Sequence, residues 1–334
     1  MRTTDLSPLA RLAIGCLALV AVTALIASLL GGDDDTDADA ATTSTTTAPN
    51  PFGPVPAGGP GAVRTEGGLL LPISGGEPGA WTVLTPCAQT AVVDGEHVAG
   101  AHVVIDPGHG GEETGAIGPS SVVEAELNLD VAKRAAQALR DAGATVALTR
   151  TDETRVTLRT RAAIARSLDP LVFISIHHNG GPTSPADRPG VQVYHQHRTP
   201  GSARLAGLLF EQLQTALAPF SDTWSGGSAT GVRARLGTDG NDFYGILREA
   251  GDVPAVLAEA LYLSHEPEAS LLLEPDVRQA EADAIAAAVL AWVETGRAGS
   301  GHLPPLTASE SAGGGGGTAG CDDPAELAGS VAGG

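Results

Sequence analysis

Between residues 101 and 295, short apolar runs with the composition of strands alternate with longer segments whose apolar residues recur at helical spacing. The first runs cover residues 101–106, 144–149 and 171–176, and helical segments cover 124–142 and 158–168. Strands that alternate with helices in this way predict an α/β domain with a mostly parallel sheet. Helices cover both faces of such a sheet.

The alternation continues towards the carboxyl terminus and completes the predicted domain. Residues 190–195 and 253–261 have the pattern of strands, whereas 202–218 and 276–295 have that of helices. We therefore predict a single domain in which a mostly parallel mixed sheet is sandwiched between helices. Ligands bind beyond the carboxyl ends of the strands in sheets of this kind, so polar residues at those ends are the candidates for chemistry.

Glycine and proline mark the limits of this predicted domain. The chain has 44 glycines and 23 prolines, and many of them crowd the regions that flank the alternating pattern. Residues 31–80 have too little apolar content to fold, so we predict a disordered Thr/Pro/Gly-rich linker there. The domain then covers 81–296 with a short amino-terminal extension, and 297–334 form a flexible Gly-rich tail.

The amino-terminal segment, residues 1–30, is predicted to direct export. Residues 9–30 are almost wholly apolar, which is long enough for a helix to span a bilayer. Arg2 precedes this run and an acidic stretch follows it, so the chain beyond residue 31 is expected outside the cytoplasm. Because no clear cleavage site follows, we favour a retained membrane anchor over secretion to the cell wall, while a buried core helix is the alternative.

The three cysteines fit an exported protein. Cys16 lies inside the apolar run, whereas Cys87 and Cys321 bracket the predicted domain. Since thiols outside the cytoplasm are commonly paired, we predict a disulfide between Cys87 and Cys321.

Charge excludes one class of partner. The formal net charge is -20, from 39 acidic and 19 basic residues. Nucleic-acid binding needs clustered lysine and arginine, so we expect no nucleic-acid partner. Attraction to any anionic polymer must then come from a local site. We expect a monomer.

His109 follows the first strand of the pattern, in the turn Pro107-Gly-His-Gly-Gly111. Glycines allow the backbone to turn sharply there and leave the imidazole at the strand end. The alternative is an anion-binding loop, but Gly108-x-Gly110 is only a fragment of a dinucleotide fingerprint.

Glu124 stands at the start of the first predicted helix. Taken alone, Ser121-Val-Val-Glu124 favours a capping box, with the glutamate folded back on the helix end. A role in chemistry becomes preferable only when Glu124 is combined with the two histidines at strand ends.

His177 and His178 follow the strand-like run 171–176. Successive strand residues point to opposite faces, so one imidazole is expected to face the site. We assign His177 to the site and a structural role to His178. A hydrogen-bonded histidine without a metal is the alternative for His177 taken alone.

Glu259 lies in an otherwise apolar strand, where a carboxylate is costly unless it faces a cleft, a cation or a hydrogen-bond partner. Burial near a site would raise its proton affinity and suit it to transfer protons. A buried salt bridge with Arg150 or Arg161 is the alternative. A hydrolytic zinc needs about three His, Glu or Asp ligands and an open position, and these candidates supply them.

The order of four motifs, VVIDPGHGG, VVEAELNL, LVFISIHHN and VPAVLAEALYLS, resembles the N-acetylmuramoyl-L-alanine amidase family of the zinc-dependent Amidase_3 type. The resemblance covers roughly residues 101–293. It implies one Zn²⁺ held by His109, Glu124 and His177, with Glu259 as the catalytic residue. The implied reaction is hydrolysis of the amide bond between N-acetylmuramic acid and L-alanine in peptidoglycan, as in a cell-wall autolysin.

Departures from the family pattern occur at Leu261, Tyr262, Ser264 and His265, after the catalytic position, and at His178. They leave the ligand set whole and affect the rim of the cleft. Two other functions remain open: a zinc peptidase that cuts within the stem peptide, and an inactive wall-binding module. Some family members cover the metal with a long helix, but residues 221–240 lack helical periodicity, so we predict an open cleft.

Overall fold

The structure is a computed structural model that describes residues 50–180, 190–220, 230–309 and 317–330. The predicted segment 1–30 and the linker before residue 50 lie outside these residues. Within the described ranges, no helix combines the length and apolar character needed to cross a membrane.

Between residues 103 and 294, the described strands and helices follow one another along the chain in the predicted order. The strands are β1 Ala62–Arg64, β2 Leu70–Glu77, β3 Ala80–Leu84, β4 Thr90–Val93, β5 Glu96–Val98, β6 Val103–Pro107, β7 Val146–Leu148, β8 Val172–Asn179, β9 Gln192–His195, β10 Gly231–Arg233, β11 Arg235–Leu236, β12 Ala255–Tyr262 and β13 Leu306–Thr307. The helices are α1 Glu124–Asp141, α2 Leu158–Leu168, α3 Pro200–Leu217, α4 Gly245–Glu249, α5 Glu266–Leu272 and α6 Pro275–Glu294.

The central sheet confirms the predicted α/β class. Its six strands have the order β10-β9-β12-β8-β6-β7. The pairs β7-β6, β6-β8 and β8-β12 are parallel, whereas β12 and β9 are antiparallel. All five residues of β6 and the first five of β8 are buried, as expected for strands covered on both faces. The carboxyl ends of β6, β8 and β12 therefore lie side by side.

Helices cover both faces of the central sheet. On one face, α1, α3 and α6 contribute to the larger apolar core, which includes Leu139, Leu205 and Ile285. On the other face, α2 and α4 contribute Ile164 and Ile246 to a second core. The prediction of a sandwiched sheet is therefore confirmed.

A second sheet was not predicted. Strands β1 to β5 form an antiparallel sheet of order β4-β3-β2-β1-β5, with a small core of its own that includes Leu71 and Val83. Ala62 and Leu70 of this sheet also pack into the second core of the main domain. The predicted linker is therefore wrong for residues 62–80. Gly67 and Gly79 lie in turns beside short strands. The average composition of residues 31–80 also hides the apolar run at Leu69–Ile73.

The prediction of a flexible tail over residues 297–334 is wrong for much of the part that the structure describes. Strand β13 pairs in parallel with β11, and Leu327 is buried in the core of the antiparallel sheet. Cys87 and Cys321 form the predicted disulfide. Asp323 accepts hydrogen bonds from the Thr85 hydroxyl and the Cys87 amide, at 2.7 and 2.8 Å. The tail is held by the domain that precedes it.

Candidate metal centre and cleft

Two adjoining cavities open above the carboxyl ends of β6, β8 and β12. Their volumes are about 740 and 700 Å³. Both are lined by His109, His177 and Glu259, so these side chains lie between the two halves of one cleft. We call the half that contains Phe243 and Leu158 the first half, and the half that contains Tyr194 and Arg235 the second half.

The loop after β6 carries His109 in an unusual conformation. The φ angle of His109 is 60°, in the left-handed region that non-glycine residues rarely adopt. Arg161 donates from Nη2 to the His109 carbonyl at 2.6 Å, which holds the loop in place. Gly108 is required for a different reason, because a Cβ at this position would overlap the His177 ring. The turn therefore brings two imidazoles close together.

Two buried arginines donate hydrogen bonds to this loop, and neither of them pairs with Glu259. Arg150 donates to the carbonyls of Pro107 and Gly108 at 2.9 Å each. Arg161 donates to the Asp106 carboxylate at 2.7 Å and to the Pro107 carbonyl at 2.6 Å. The alternative in which Glu259 pairs with Arg150 or Arg161 is therefore wrong.

Glu124 begins α1 and directs its carboxylate to the site instead of capping the helix. Val123 occupies the N-cap position, and no side chain caps the helix end. The amides of Ala116 and His178 donate to the Glu124 carboxylate at 2.8 and 3.3 Å. The capping-box alternative is wrong because the helix begins at Glu124 itself, so the glutamate is not at the third helical position.

The two neighbouring histidines of β8 point in opposite directions, as predicted. His177 faces the cleft, with its Nδ1 atom 3.1 Å from Oε1 of Glu124. His178 is buried, with Nδ1 2.8 Å from Oδ1 of Asn128 and Nε2 3.1 Å from Oε2 of Glu281. The structural role expected for His178 is confirmed.

His109, Glu124 and His177 converge on one point. Nε2 of His109 lies 3.3 Å from Oε1 of Glu124, and one potential ligand atom from each of the three residues lies within 4.8 Å of the other two. Two imidazoles and a carboxylate on fixed elements are a ligand set that suits Zn²⁺ and leaves a position open. The backbone amides of Ala116 and His178 hydrogen-bond to the Glu124 carboxylate and orient it towards the two imidazoles.

The protonation states of two of these groups suit metal binding. Burial raises the pKa of Glu124, but hydrogen bonds and charge from His109 and His177 outweigh it and hold this pKa well below its ordinary value. Burial also lowers the pKa of His177, which Glu124 only partly offsets. An ionised carboxylate and a neutral imidazole are the forms that coordinate a metal.

Glu259 lies beside the three converging residues. It is paired with His177 across the parallel strands β12 and β8, so both side chains point to the same side of the sheet. Its Oε2 atom is buried and has no hydrogen-bond partner among the described residues. Burial raises the pKa of Glu259 well above its ordinary value, and the negative charge of Glu124 adds to the shift. This carboxyl group is free to exchange a proton with a molecule in the cleft.

The family model described as N-acetylmuramoyl-L-alanine amidase (Amidase_3) matches residues 103–291, which is more than half of the chain. The chain belongs to this amidase family. The matched range contains His109, Glu124, His177 and Glu259. Strands β1 to β5 and β13 lie outside it.

Individual relatives agree with this assignment. YqiI of Bacillus subtilis (strain 168), an uncharacterised protein, is 34% identical over 204 residues, which are 60% of this chain and 87% of YqiI. The N-acetylmuramoyl-L-alanine amidase LytC of the same strain is 33% identical over 205 residues, which are 60% of this chain but only 38% of LytC. Among solved structures, the amidase AmiC2 of Nostoc punctiforme is 28% identical with a TM-score of 0.50 over 58% of this chain and 97% of AmiC2.

Three residues of this amidase-family site were not identified from the sequence. Asn128 donates to the Gly108 carbonyl at 3.1 Å and contacts His178, while Glu281 of α6 holds the other side of the His178 ring. Asn128 follows Glu124 by four residues on the same helical face, and Glu281 lies in an Ala-rich helix, so polar residues on buried faces were the available signal. The third residue, Arg235, lines the second half of the cleft.

The prediction of an open cleft depends on residues 221–240, and the structure describes only part of that stretch. Residues 221–229 lie outside the described part. Of the stretch that follows, Gly231–Arg233 and Arg235–Leu236 form strands β10 and β11. The absence of a helix over the metal site therefore stays a prediction.

Proposed function

We propose that this member of the amidase family is a zinc-dependent N-acetylmuramoyl-L-alanine amidase that hydrolyses the bond between N-acetylmuramic acid and L-alanine in peptidoglycan. The observation that carries the proposal is the convergence of His109, Glu124 and His177 within 4.8 Å, beside a buried carboxyl group on the next strand. Family membership supports the choice of bond.

In this proposal His109, Glu124 and His177 hold one Zn²⁺. When bound, zinc supplies a Lewis acid that activates water near neutral pH and polarises the carbonyl group of the substrate. The two histidines approach from separate strand ends and Glu124 from the start of α1. Three separate elements of the fold therefore position the three ligands. The backbone amides of Ala116 and His178 keep the Glu124 carboxylate in place.

Glu259 is the proposed catalytic base and acid. Its carboxylate accepts a proton from the attacking water, and the resulting carboxyl group donates that proton to the nitrogen of the departing L-alanine. Burial and the charge of Glu124 raise the pKa of Glu259, which makes its carboxylate a stronger base for the first of these two transfers. The two halves of the cleft leave room for glycan and peptide on either side of the cleaved bond.

Digestion of purified peptidoglycan tests the proposed bond. We expect products that are sugar-free peptides with new L-alanine amino termini, detected by mass analysis of the soluble fragments. A chelator is expected to abolish their release, and added Zn²⁺ to restore it. The inactive variant Glu259→Gln serves as the control for contaminating hydrolases.

Other products would contradict the proposal in distinct ways. Release of new termini within the stem peptide would identify a zinc peptidase instead. Binding to the wall without any release of peptide, in protein with a full zinc complement, would identify an inactive wall-binding module.

We also propose an extracytoplasmic location. The disulfide between Cys87 and Cys321 fits an oxidising compartment, and the proposed substrate lies outside the cytoplasmic membrane. The proposal includes attachment to the membrane through residues 1–30, with a cleaved leader as the alternative, and a monomeric state.

A further inference from the structure

We infer that Arg235 is a specificity-determining residue that binds a free carboxylate on the stem peptide, so that the enzyme prefers a carboxylate over a carboxamide near the cleaved bond. This inference rests on the proposed amidase function, because it names the chemistry of that substrate. Four observations of the second half of the cleft support it.

The first observation is the charge of the cleft. Glu124 and Glu259 both line its second half, and the whole chain carries a formal net charge of -20. Among the described residues that line this half, Arg235 is the sole arginine or lysine. Apart from the proposed Zn²⁺, an anionic group that enters the second half therefore finds one fixed cation on its wall, the Arg235 guanidinium.

The second observation is the rigid placement of the Arg235 guanidinium. Its Cζ atom lies 3.9 Å from the ring centroid of Phe243 and 5.5 Å from that of Tyr244. Nη1 donates to the Tyr244 hydroxyl at 3.1 Å. Stacking and this hydrogen bond fix the plane of the guanidinium before a ligand arrives, which lowers the entropy lost on binding.

The third observation is an unused donor. The Nε atom of Arg235 is buried and has no hydrogen-bond partner within the described part of the chain. Arg235 also makes no ion pair with a described carboxylate, although most other arginines of the domain pair with acids or backbone carbonyls. A buried N–H without a partner is costly, and a bound carboxylate would satisfy it. Arginine matches the planar, two-oxygen geometry of carboxylates.

The fourth observation is the way the backbone at Arg235 is held. Phe243 donates its amide to the Arg235 carbonyl at 2.8 Å, and the neighbouring carbonyls of Ala234 and Leu236 accept from Leu306 and Ala308 at 2.9 and 2.7 Å. Leu306 and Ala308 lie beyond the range matched by the family model. The carboxyl-terminal part of this chain thus fixes the strand that presents Arg235 to the cleft.

A matched pair of substrates tests the inference. The pair consists of two synthetic N-acetylmuramoyl-L-alanyl dipeptides that differ only in whether the carboxyl group of the second residue is free or amidated. For the full-length protein, we expect kcat/KM to be about 10- to 100-fold higher with the free carboxylate, the range expected for a charge-assisted hydrogen bond. In Arg235→Gln this ratio is expected to fall to about 1, mainly through KM for the carboxylate substrate.

The controls separate recognition from structure. Arg297→Gln removes the same charge from a site that lines neither half of the cleft, and it should preserve the wild-type ratio. Arg235→Lys keeps the charge without the planar fork and should restore part of the preference. Calorimetry gives the affinity of each dipeptide for the turnover-deficient Glu259→Gln protein. The ratio of the two affinities measures the same preference without hydrolysis.

Two results would overturn the inference while the proposed function stands. They are equal cleavage of the two dipeptides by the wild type, or an equal loss of activity on both in Arg235→Gln with the preference intact. If the wild type releases no L-alanine amino terminus from either dipeptide or from peptidoglycan, the proposed function fails. In that case equal affinity of the two dipeptides for the protein would reject the carboxylate site as well.

Discussion

Glu259→Gln is expected to lower kcat on peptidoglycan by about 10²- to 10⁴-fold, the range that general acid-base catalysis contributes. Glutamine keeps the size and much of the polarity of the side chain but cannot accept and return a proton. Glu259 is suited to that role because its Oε2 atom is buried without a partner among the described residues and burial raises the pKa of its carboxyl group. Since Glu259 is not one of the three proposed ligands, zinc content should not change.

The measurement is the initial rate of release of L-alanine amino termini, made beside zinc analysis of the same preparation. Glu266→Gln is the matched control, because Glu266 is an exposed residue in the first turn of α5. It should retain the wild-type rate. A Glu259→Gln protein that contains zinc and keeps more than about a tenth of wild-type kcat would remove Glu259 from the mechanism.

Asp106→Asn is expected to lower the free energy of unfolding by about 3–5 kcal/mol, the cost of leaving one member of a buried ion pair without its partner. Asp106 and Arg161 have side chains only 1% and 2% exposed, and their closest atoms are 2.7 Å apart. The Thr149 and Ser175 hydroxyls donate to the same carboxylate at 2.5 and 2.7 Å. Because Arg161 also holds the His109 carbonyl, the loop that carries His109 should loosen in the variant.

The stability difference between wild type and Asp106→Asn should depend on pH. Burial raises the pKa of Asp106, but Arg161 and the two hydroxyls outweigh it and lower this pKa below the ordinary value of 3.8. The carboxylate therefore stabilises the fold above about pH 4, and this contribution is lost as the pH falls through the folded-state pKa.

Urea unfolding between pH 3 and 7 measures this dependence. The difference between wild type and Asp106→Asn should shrink at the acid end. Asp252→Asn, at an exposed position, should differ from wild type by less than about 0.5 kcal/mol throughout. A difference between wild type and Asp106→Asn that is small at pH 7, or constant over the whole range, would contradict the role given to this ion pair.

The main α/β domain could be predicted because its signals are local. Helix α2 has the predicted bounds, and α1 ends two residues before Gly143, as its composition indicated. The strands β6, β8 and β12 are continuous apolar runs because helices cover both faces of their sheet. His109 and His177 followed from the rule that strand ends of such a sheet meet at one edge, whereas Glu124, at a helix start, was preferred only in combination with them.

What could not be predicted depends on contacts between distant or very short segments. The strands of the antiparallel sheet are short and are separated by short turns. Their core is completed by Leu327, more than 200 residues away in the chain. Strand β11 has two residues, and the strand with which it pairs, β13, lies about 70 residues further along the chain. No periodic signal exists in so short a strand, so the placement of Arg235 in the cleft was not visible in the sequence.

The described segments outside residues 103–291 contact the domain that the family model matches. Strand β13 fixes the segment that carries Arg235, and the disulfide between Cys87 and Cys321 joins the antiparallel sheet to the carboxyl-terminal tail. Arg155 donates to the backbone carbonyls of Gly317 and Ala319 and to the Glu113 carboxylate, which lines the first half of the cleft. The tail therefore contacts the strand that carries Arg235 in the second half, and it is linked to Glu113 of the first half through Arg155.

The most direct test of the metal centre is the zinc content of the purified full-length protein after equilibration with Zn²⁺ and removal of the excess. The convergence of His109, Glu124 and His177 predicts about one zinc ion per chain, and His177→Ala should lose it because only two ligands remain. A wild-type protein that takes up no zinc, or a His177→Ala protein that retains the ion with wild-type affinity, would contradict the proposed site.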